Sequence, residues 1–380
     1  MFIEIKGVQF SNKGAELMLK SIDNKLKSEL DAPYSLVLSP RNSPFDERLN
    51  YQAYQKIGNL FKRIDWSYLD FLVPDTLCKN YGLKRHKDVN IVLDASGFAY
   101  GQQWNPAMLK HSVRQARKLH LDGGKYIFLP QAMGPFENSI YSKLIKQAVR
   151  YSELFFVRDK KSYEYVTKIT GEVDKVQIFP DFTNLLNVDD FDDNIPRLSR
   201  KKIVTFIPNN KMINTKRSSL KWENYVAQFI DAALWAQKQN FHVCVMNHEG
   251  RNDELLCSQI YSGISSKNAT LISGVNAIQI KKIINKSHLV VSSRFHGCVS
   301  SLSQGIPVVG TSWSHKYEML YEDYDVQELI YKFDSSLSSL LSNILLNYDE
   351  YKNRLNKSLE LEKLKSQKMW DIVFSRIKGD

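Results

Sequence analysis

The stretch His288–Gly310, HLVVSSRFHGCVSSLSQGIPVVG, decides the fold. It opens on an apolar run and breaks at a polar turn. Apolar residues then return at helical spacing, and a second apolar run follows Gly305-Ile306-Pro307. Strand, turn, helix and strand make a βαβ unit, whose two strands are parallel because the helix carries the chain back. Short strands that are apolar on both faces belong to a parallel sheet covered by helices. Working outward, the same alternation predicts strands at Ile203–Ile207, His242–Met246 and Ala269–Leu271, with helices over Trp222–Gln239, Asp253–Ser262, Ala277–Lys286 and Phe295–Gln304. Further upstream a separate series predicts strands at Phe2–Val8, Ser35–Leu38, Asn90–Leu93, Tyr126–Leu129, Leu154–Val157 and Val176–Phe179. Helices over Ala15–Leu30, Pro106–His120, Ser139–Tyr151 and Lys160–Thr170 alternate with them. The segment Pro40–Lys87 has no clear period and is expected to mix helix and loop, whereas Ser336–Lys378 is helical throughout.

A chain of 380 residues exceeds one ordinary core, and about 100–200 residues per domain gives two. The acidic stretch Asn187–Pro196, followed by the basic run Arg197–Lys202, is the expected boundary. The predicted fold class is therefore α/β, with two doubly wound Rossmann-like domains facing a cleft, a GT-B-like arrangement with a helical C-terminal tail. The N-terminal domain is expected over 1–190 on the acceptor side and the C-terminal domain over 200–345 on the donor side, with the tail over 346–380. Ligands of such folds sit beyond the carboxyl ends of the strands, so chemistry is sought there.

Composition narrows the partners. With 52 Lys and Arg against 41 Asp and Glu the net charge is +11, which favours anionic ligands. No zinc finger or basic helix with interleaved aromatics is present, so nucleic acid is not expected as a partner. The four cysteines form no CxxC pair, which suits a reducing cytoplasm without structural zinc. Met1–Lys6 carries a charge at every second position, the pattern of a half-buried strand rather than a signal peptide. No apolar run reaches membrane-spanning length. The expected location is the cytoplasm, with any membrane contact peripheral at the inner face. HExxH, Asp-rich metal loops, GxSxG and a paired-carboxylate signature are all missing. Metal, serine-hydrolase and glycosidase chemistry are set aside on that ground.

The strongest constellation is Ser293-Arg294-Phe295-His296-Gly297. Ser293 is expected to cap a helix starting at Arg294, leaving backbone N–H groups to meet an anion. A cation at the positive end of a helix is locally unfavourable, and such conflicts mark functional sites. Arg294 offers a planar fork for phosphate or carboxylate, and His296 a proton. The turn Thr311-Ser312-Trp313-Ser314-His315-Lys316 follows the next strand, so His315 and Lys316 are expected beside Arg294. His248, in Asn247-His248-Glu249, is a further donor-side candidate. In the first half, Arg158 ends an apolar run while Asp159 caps the next helix. Asn12, Glu16, Asp94 and Gln131 are candidates for hydrogen bonds to sugar hydroxyls. Gly7 to Gly14 matches neither the dinucleotide nor the P-loop pattern.

Taken in order, these fragments resemble the polysaccharide pyruvyltransferases. The resemblance is carried by Gly7–Glu16, Leu129-Pro130-Gln131, Val157-Arg158-Asp159 with Ser162, and Pro180-Asp181. It is strongest in Ser293–Gly297, Gly305-Ile306-Pro307-Val308 and His315-Lys316-Tyr317. It implies transfer of pyruvate from phosphoenolpyruvate to a sugar, giving a ketal and free phosphate, with no cofactor beyond that co-substrate. It also implies that Arg294 and His296 serve the phosphoenolpyruvate site, with Arg158 as the matching arginine of the first domain. The acceptor is expected to be a cell-surface polysaccharide or its lipid-linked precursor. The alternative is a glycosyltransferase on the same architecture with a nucleotide-sugar donor.

Overall fold

The computed structural model describes all residues except 42, 59, 62–63, 214–219, 312–313 and 380, and leaves the side chains of 59–68 and 252 undescribed. The chain forms two compact units, each built on a parallel sheet. The first comprises Met1–Phe10, Met18–Phe182 and Lys365–Asp380; the second comprises Ser11–Leu17 and Thr183–Leu364.

In the first unit the strands are β1 (Phe2–Lys6), β2 (Ser35–Leu38), β3 (Tyr54–Lys56), the hairpin β4 (Leu60–Phe61) and β5 (Ile64–Asp65), β6 (Leu83–Lys84), β7 (Ile91–Asp94), β8 (Lys125–Gln131), β9 (Leu154–Val157) and β10 (Val176–Ile178). The sheet order is β10-β9-β8-β7-β1-β2-β3-β6, with parallel pairing throughout. From β1 the chain winds outward through β2 and β3, then crosses back to β7 and winds the other way. The order therefore reverses between β1 and β7. The buried aromatics Tyr126, Phe128 and Phe155 pack as tilted ring pairs across β8 and β9 at centroid spacings of 4.8 and 4.7 Å. They pack with Val92, Ile145 and Val157 into one core.

The second unit has β11 (Ile203–Ile207), β12 (His242–Met246), β13 (Ala269–Ile272), β14 (Leu289–Ser292), β15 (Val308–Thr311) and β16 (Ile330–Tyr331), in the order β13-β12-β11-β14-β15-β16. All neighbours are parallel. Here the reversal lies between β11 and β14. The His288–Gly310 stretch is the βαβ unit β14–helix–β15, as its pattern predicts.

The division of the chain departs from a simple run of sequential domains over 1–190, 200–345 and 346–380. Ser11–Leu17 belongs to the second unit because Leu17 packs with Leu186, Ala277 and Ile278. Glu16 fixes the same segment. Its Oε1 accepts the Ala277 N–H at 3.2 Å and its Oε2 pairs with Lys13 at 2.6 Å. The acidic stretch after Leu186 is not a loose linker either, since Asn276 donates to Asp193 at 2.6 Å and Gln279 to the Asn194 carbonyl at 2.5 Å. The C-terminal helix Tyr348–Lys378 serves both units. Tyr351, Leu355 and Leu359 join the core of the second, while Trp370 is buried against Phe182 and Phe374 in the first. Among the described residues no helix is long and apolar enough to cross a membrane.

Candidate functional site

The turn after β14 sits at the reversal point of the second sheet, where loops leave in opposite directions. Ser293 N–H donates to the Ile207 carbonyl at 2.9 Å, and Asn209 Nδ2 donates to the Ser293 carbonyl at 2.9 Å. These bonds knit the ends of β11 and β14. The helix starts at Phe295, with Arg294 as its N-cap residue and without a side-chain cap. Ser293 therefore does not cap it. Its Oγ lies 2.7 Å from the Tyr225 hydroxyl and accepts from Thr311 Oγ1 at 2.6 Å, wholly inside the protein. Ser292 takes the local role instead, accepting the Arg294 N–H at 3.1 Å. Gly297 is needed at close range, because a Cβ there would collide with Ser292 Oγ.

Arg294 is only 6% exposed. Its Nε donates to Asp253 Oδ2 at 2.8 Å, its Nη2 to Asp253 Oδ1 at 2.6 Å, and its Nη1 pairs with Glu249. Burial works against the charge, but Asp253 and Glu249 outweigh it and hold the guanidinium above its ordinary range. The fork expected to grip phosphate is thus filled by two carboxylates from the loop and helix after β12. Sequence reading found the arginine but missed Glu249 and Asp253 as its partners.

His248 is 4% exposed, and its Nδ1 has no hydrogen-bond partner among the described residues. Burial, reinforced by Arg294, His296 and Lys13, pushes its pKa well below the ordinary imidazole value. It is a neutral base beside cations. Lys13 is the site residue that sequence reading passed over; the only available signal was its place in the polar turn before a helix. Asn12 caps that helix by accepting the Gly14 N–H at 3.0 Å. A Cβ on Gly14 would collide with the His296 ring, so glycine lets the imidazole lie against this helix start.

Lys316 Nζ stands 4.9 Å from the centre of the Phe295 ring, and the Tyr317 hydroxyl donates to the Ser293 carbonyl at 2.9 Å. The helix His315–Asp323 therefore begins against the same turn. Ser312 and Trp313 lie outside the described residues. Three helix starts, at Lys13, Phe295 and His315, meet here with their positive ends. Such a place favours an anion with several oxygens.

The remaining candidates divide differently from expectation. Asn12 and Glu16, read as acceptor-side residues, lie in the second unit with the donor candidates. Their carbonyl and carboxylate oxygens serve the helix cap and the clip to Ala277 and Lys13. Arg158 lies in the first unit, buried, donating to Asp181 at 3.0 Å. Asp94 is fully buried and accepts from the hydroxyls of Ser96 at 2.5 Å, Tyr100 at 2.7 Å and Tyr126 at 2.6 Å. A carboxylate so occupied braces the sheet and offers a sugar nothing. Gln131 is also buried and donates to the Asp94 carbonyl at 3.1 Å.

Two parallel-sheet α/β units, each with polar turns at its strand ends, define a GT-B-like fold. The chain is similar in structure to UDP-GlcNAc 2-epimerase from Neisseria meningitidis, with TM-score 0.66, 11% identity and 99% of each chain covered. It is also similar to Anabaena Alr3699/HepE in complex with UDP-glucose, with TM-score 0.58, 12% identity, and 99% of this chain and 100% of that chain covered. UDP-GlcNAc 2-epimerase from Methanocaldococcus jannaschii gives TM-score 0.58 at 10% identity, over 98% of this chain and 99% of that one. At these identities the likeness shows the fold alone. A search of curated proteins finds no match. The sequence profile described as polysaccharide pyruvyl transferase matches residues 12–315, from Asn12 through the Arg294 turn to His315, and the chain belongs to that family. It is an enzyme of this type, and the family implies a saccharide acceptor.

Proposed function

We propose that the enzyme moves pyruvate from phosphoenolpyruvate onto a sugar of a cell-surface polysaccharide or its lipid-linked precursor, closing a ketal and releasing phosphate. The observation that carries this reading is the gathering of His296, Lys13, Lys316 and the neutral His248 around one turn in the second unit. Phosphoenolpyruvate carries a carboxylate and a phosphate, and cations in a partly dry site hold such a pair. A proton delivered to its methylene carbon makes C2 electrophilic, and a sugar hydroxyl attacks C2 as its own proton passes to a base. The C2–O bond to phosphate then breaks, phosphate leaves with the electron pair, and a second hydroxyl closes the ring with loss of its proton. His296 is assigned as the general acid. Lys13, Lys316, His315 and the helix starts hold the anionic groups, while His248 is suited to accept a proton.

Arg294 acts in this scheme as a positioning residue, since its three nitrogens are engaged by Asp253 and Glu249. Arg158, paired with Asp181, is the cationic contribution assigned to the first unit. No further cofactor is invoked. His296→Ala is expected to abolish phosphate release from phosphoenolpyruvate in the presence of acceptor, and retained turnover would remove the assignment. The likeness to UDP-sugar-binding structures keeps a nucleotide-sugar donor as the competing reading. Thermal shift decides between them, because only the true donor raises the melting temperature substantially. For a lipid-linked acceptor, the surplus of +11 predicts co-sedimentation with anionic vesicles at low salt and release at high salt. Absence of binding at low salt would count against an inner-membrane location.

A further inference from the structure

The first sheet has a reversal point of its own, between β1 and β7, and a cavity of about 120 Å³ opens there. One water needs about 15 Å³ of such space, so a single sugar ring has room. The walls come from residues just past parallel strand ends: Gly7 after β1, Ser39 after β2, Gly58 after β3, His86 after β6 and Ser96 after β7. The helix Ala107–Leu121 adds Met108, His111 and Ser112. Ligands of doubly wound sheets sit beyond strand ends at such a reversal.

The charged groups of the wall are all engaged by the protein. Lys6 donates to Gln115 Oε1 at 3.1 Å, Gln115 Nε2 donates to Glu4 at 2.6 Å, and Glu4 also accepts from Lys56, so these four residues close one network. Burial alone would raise the Glu4 pKa, but Lys56, Lys6 and His86 bring it down to about 2, and it stays ionised. Arg41 and His111 have partners as well. Ser96 Oγ is held by Asp94 at 2.5 Å and Ser112 Oγ lies 2.7 Å from the Tyr100 hydroxyl. Of the polar side chains in the wall, this leaves the Ser39 hydroxyl and the His86 imidazole, to which the structure gives no hydrogen bond among the described residues. The His86 ring has only the His111 ring beside it, at a centroid distance of 6.4 Å. Its pKa is pushed down to about 3, by burial first and Lys56 second, so at pH 7 it presents one donor and one acceptor nitrogen. Ile5, Val8 and Met108 complete the wall with apolar surface. The donor chemistry assigned to the second unit uses none of these groups.

We propose that this cavity holds an uncharged pyranose ring of the acceptor saccharide, with His86 and Ser39 hydrogen-bonded to its hydroxyls. The inference deepens the reading of a sugar acceptor and rests on it. A mostly apolar cavity with a few placed polar groups suits a ring that is hydrocarbon on its faces and hydroxylated at its edge. A sugar hydroxyl donates and accepts at once, so it answers a serine hydroxyl and a neutral imidazole alike. A carboxylate on the ring enters a wall whose cations are already committed and gains nothing by its charge.

Ligand-observed NMR titration of the full chain tests this with the methyl pyranosides of galactose, glucose and mannose, and with methyl glucuronide as the charged probe. At least one uncharged pyranoside is expected to bind saturably, and methyl glucuronide no more tightly than methyl glucoside. Losing one hydrogen bond between uncharged groups weakens binding about threefold to tenfold. His86→Leu and Ser39→Ala are each expected to show a loss of that size for the bound pyranoside. No saturable binding of any pyranoside, tighter binding of the glucuronide, or unchanged affinity in either folded variant would overturn the proposal. If His86→Leu does not fold, Ser39→Ala decides alone. Thermal stabilisation by phosphoenolpyruvate, measured in parallel, separates the two assignments. Pyranoside binding without it sinks the donor reading alone, and the converse sinks this one alone.

Discussion

At the scale of single residues, the arginine of the 292–297 turn is held by groups far away in sequence. Asp253 is completely buried and shares two hydrogen bonds with Arg294. Removing one partner of a buried ion pair strands the other charge in a poor dielectric and costs about 3–5 kcal/mol. Asp253→Ala is therefore expected to lower the urea midpoint clearly, whereas His296→Ala leaves it nearly unchanged while turnover disappears. Equal stability in both variants would contradict the positioning role. That contrast also shows what sequence could reveal at this scale. Arg294 and His296 stood out because a cation at a helix start conflicts with the local dipole. Asp253 and Glu249 did not, because they read as an ordinary acidic loop and first helical turn and only folding brings them to the arginine. Asp94 misled for the opposite reason: a polar residue at a strand end looks the same from sequence whether it faces a ligand or is sealed under two tyrosines.

At the scale of elements, strands were readable directly from their apolar runs or, for β1, from alternation, and β1, β7, β9, β11, β12 and β14 fall where the pattern puts them, to within a few residues. The outlying strand β3, Tyr54-Gln55-Lys56, has no such pattern, though it pairs in parallel register with β2 and β6. The C-terminal helix is periodic enough to predict, yet its allegiance is not, since one amphipathic face serves two cores in turn. Trp370 carries the second part of that service, buried at the edge of Phe182 with a centroid distance of 5.9 Å. Trp370→Ala is expected to cost about 3–5 kcal/mol, read as a fall in the thermal midpoint. A variant with an unchanged midpoint would show that the helix end does not support the first unit.

At the scale of the whole molecule, acid sensitivity follows from the buried histidines. His248 and His86 both titrate below the ordinary imidazole value of 6.5 in the folded state, His86 at about 3. Below pH 6.5 the unfolded chain therefore binds more protons than the folded one, so stability is complete above about 6.5 and falls as pH drops, for His86 until about 3. Thermal midpoints from pH 8 to pH 5 should be level at first and then decline, and His248→Gln should make the decline shallower. A midpoint that rises on acidification would contradict neutral burial. The donor defines the enzyme in this account. The most direct test is product analysis with phosphoenolpyruvate and a panel of galactose-, mannose- and glucose-ended acceptors, neutral and acidic. The account predicts phosphate released in step with a ketal-linked pyruvate on one acceptor of the panel, and neither product with His296→Ala. Transfer of a glycosyl group from a nucleotide sugar, with phosphoenolpyruvate left intact, would contradict it.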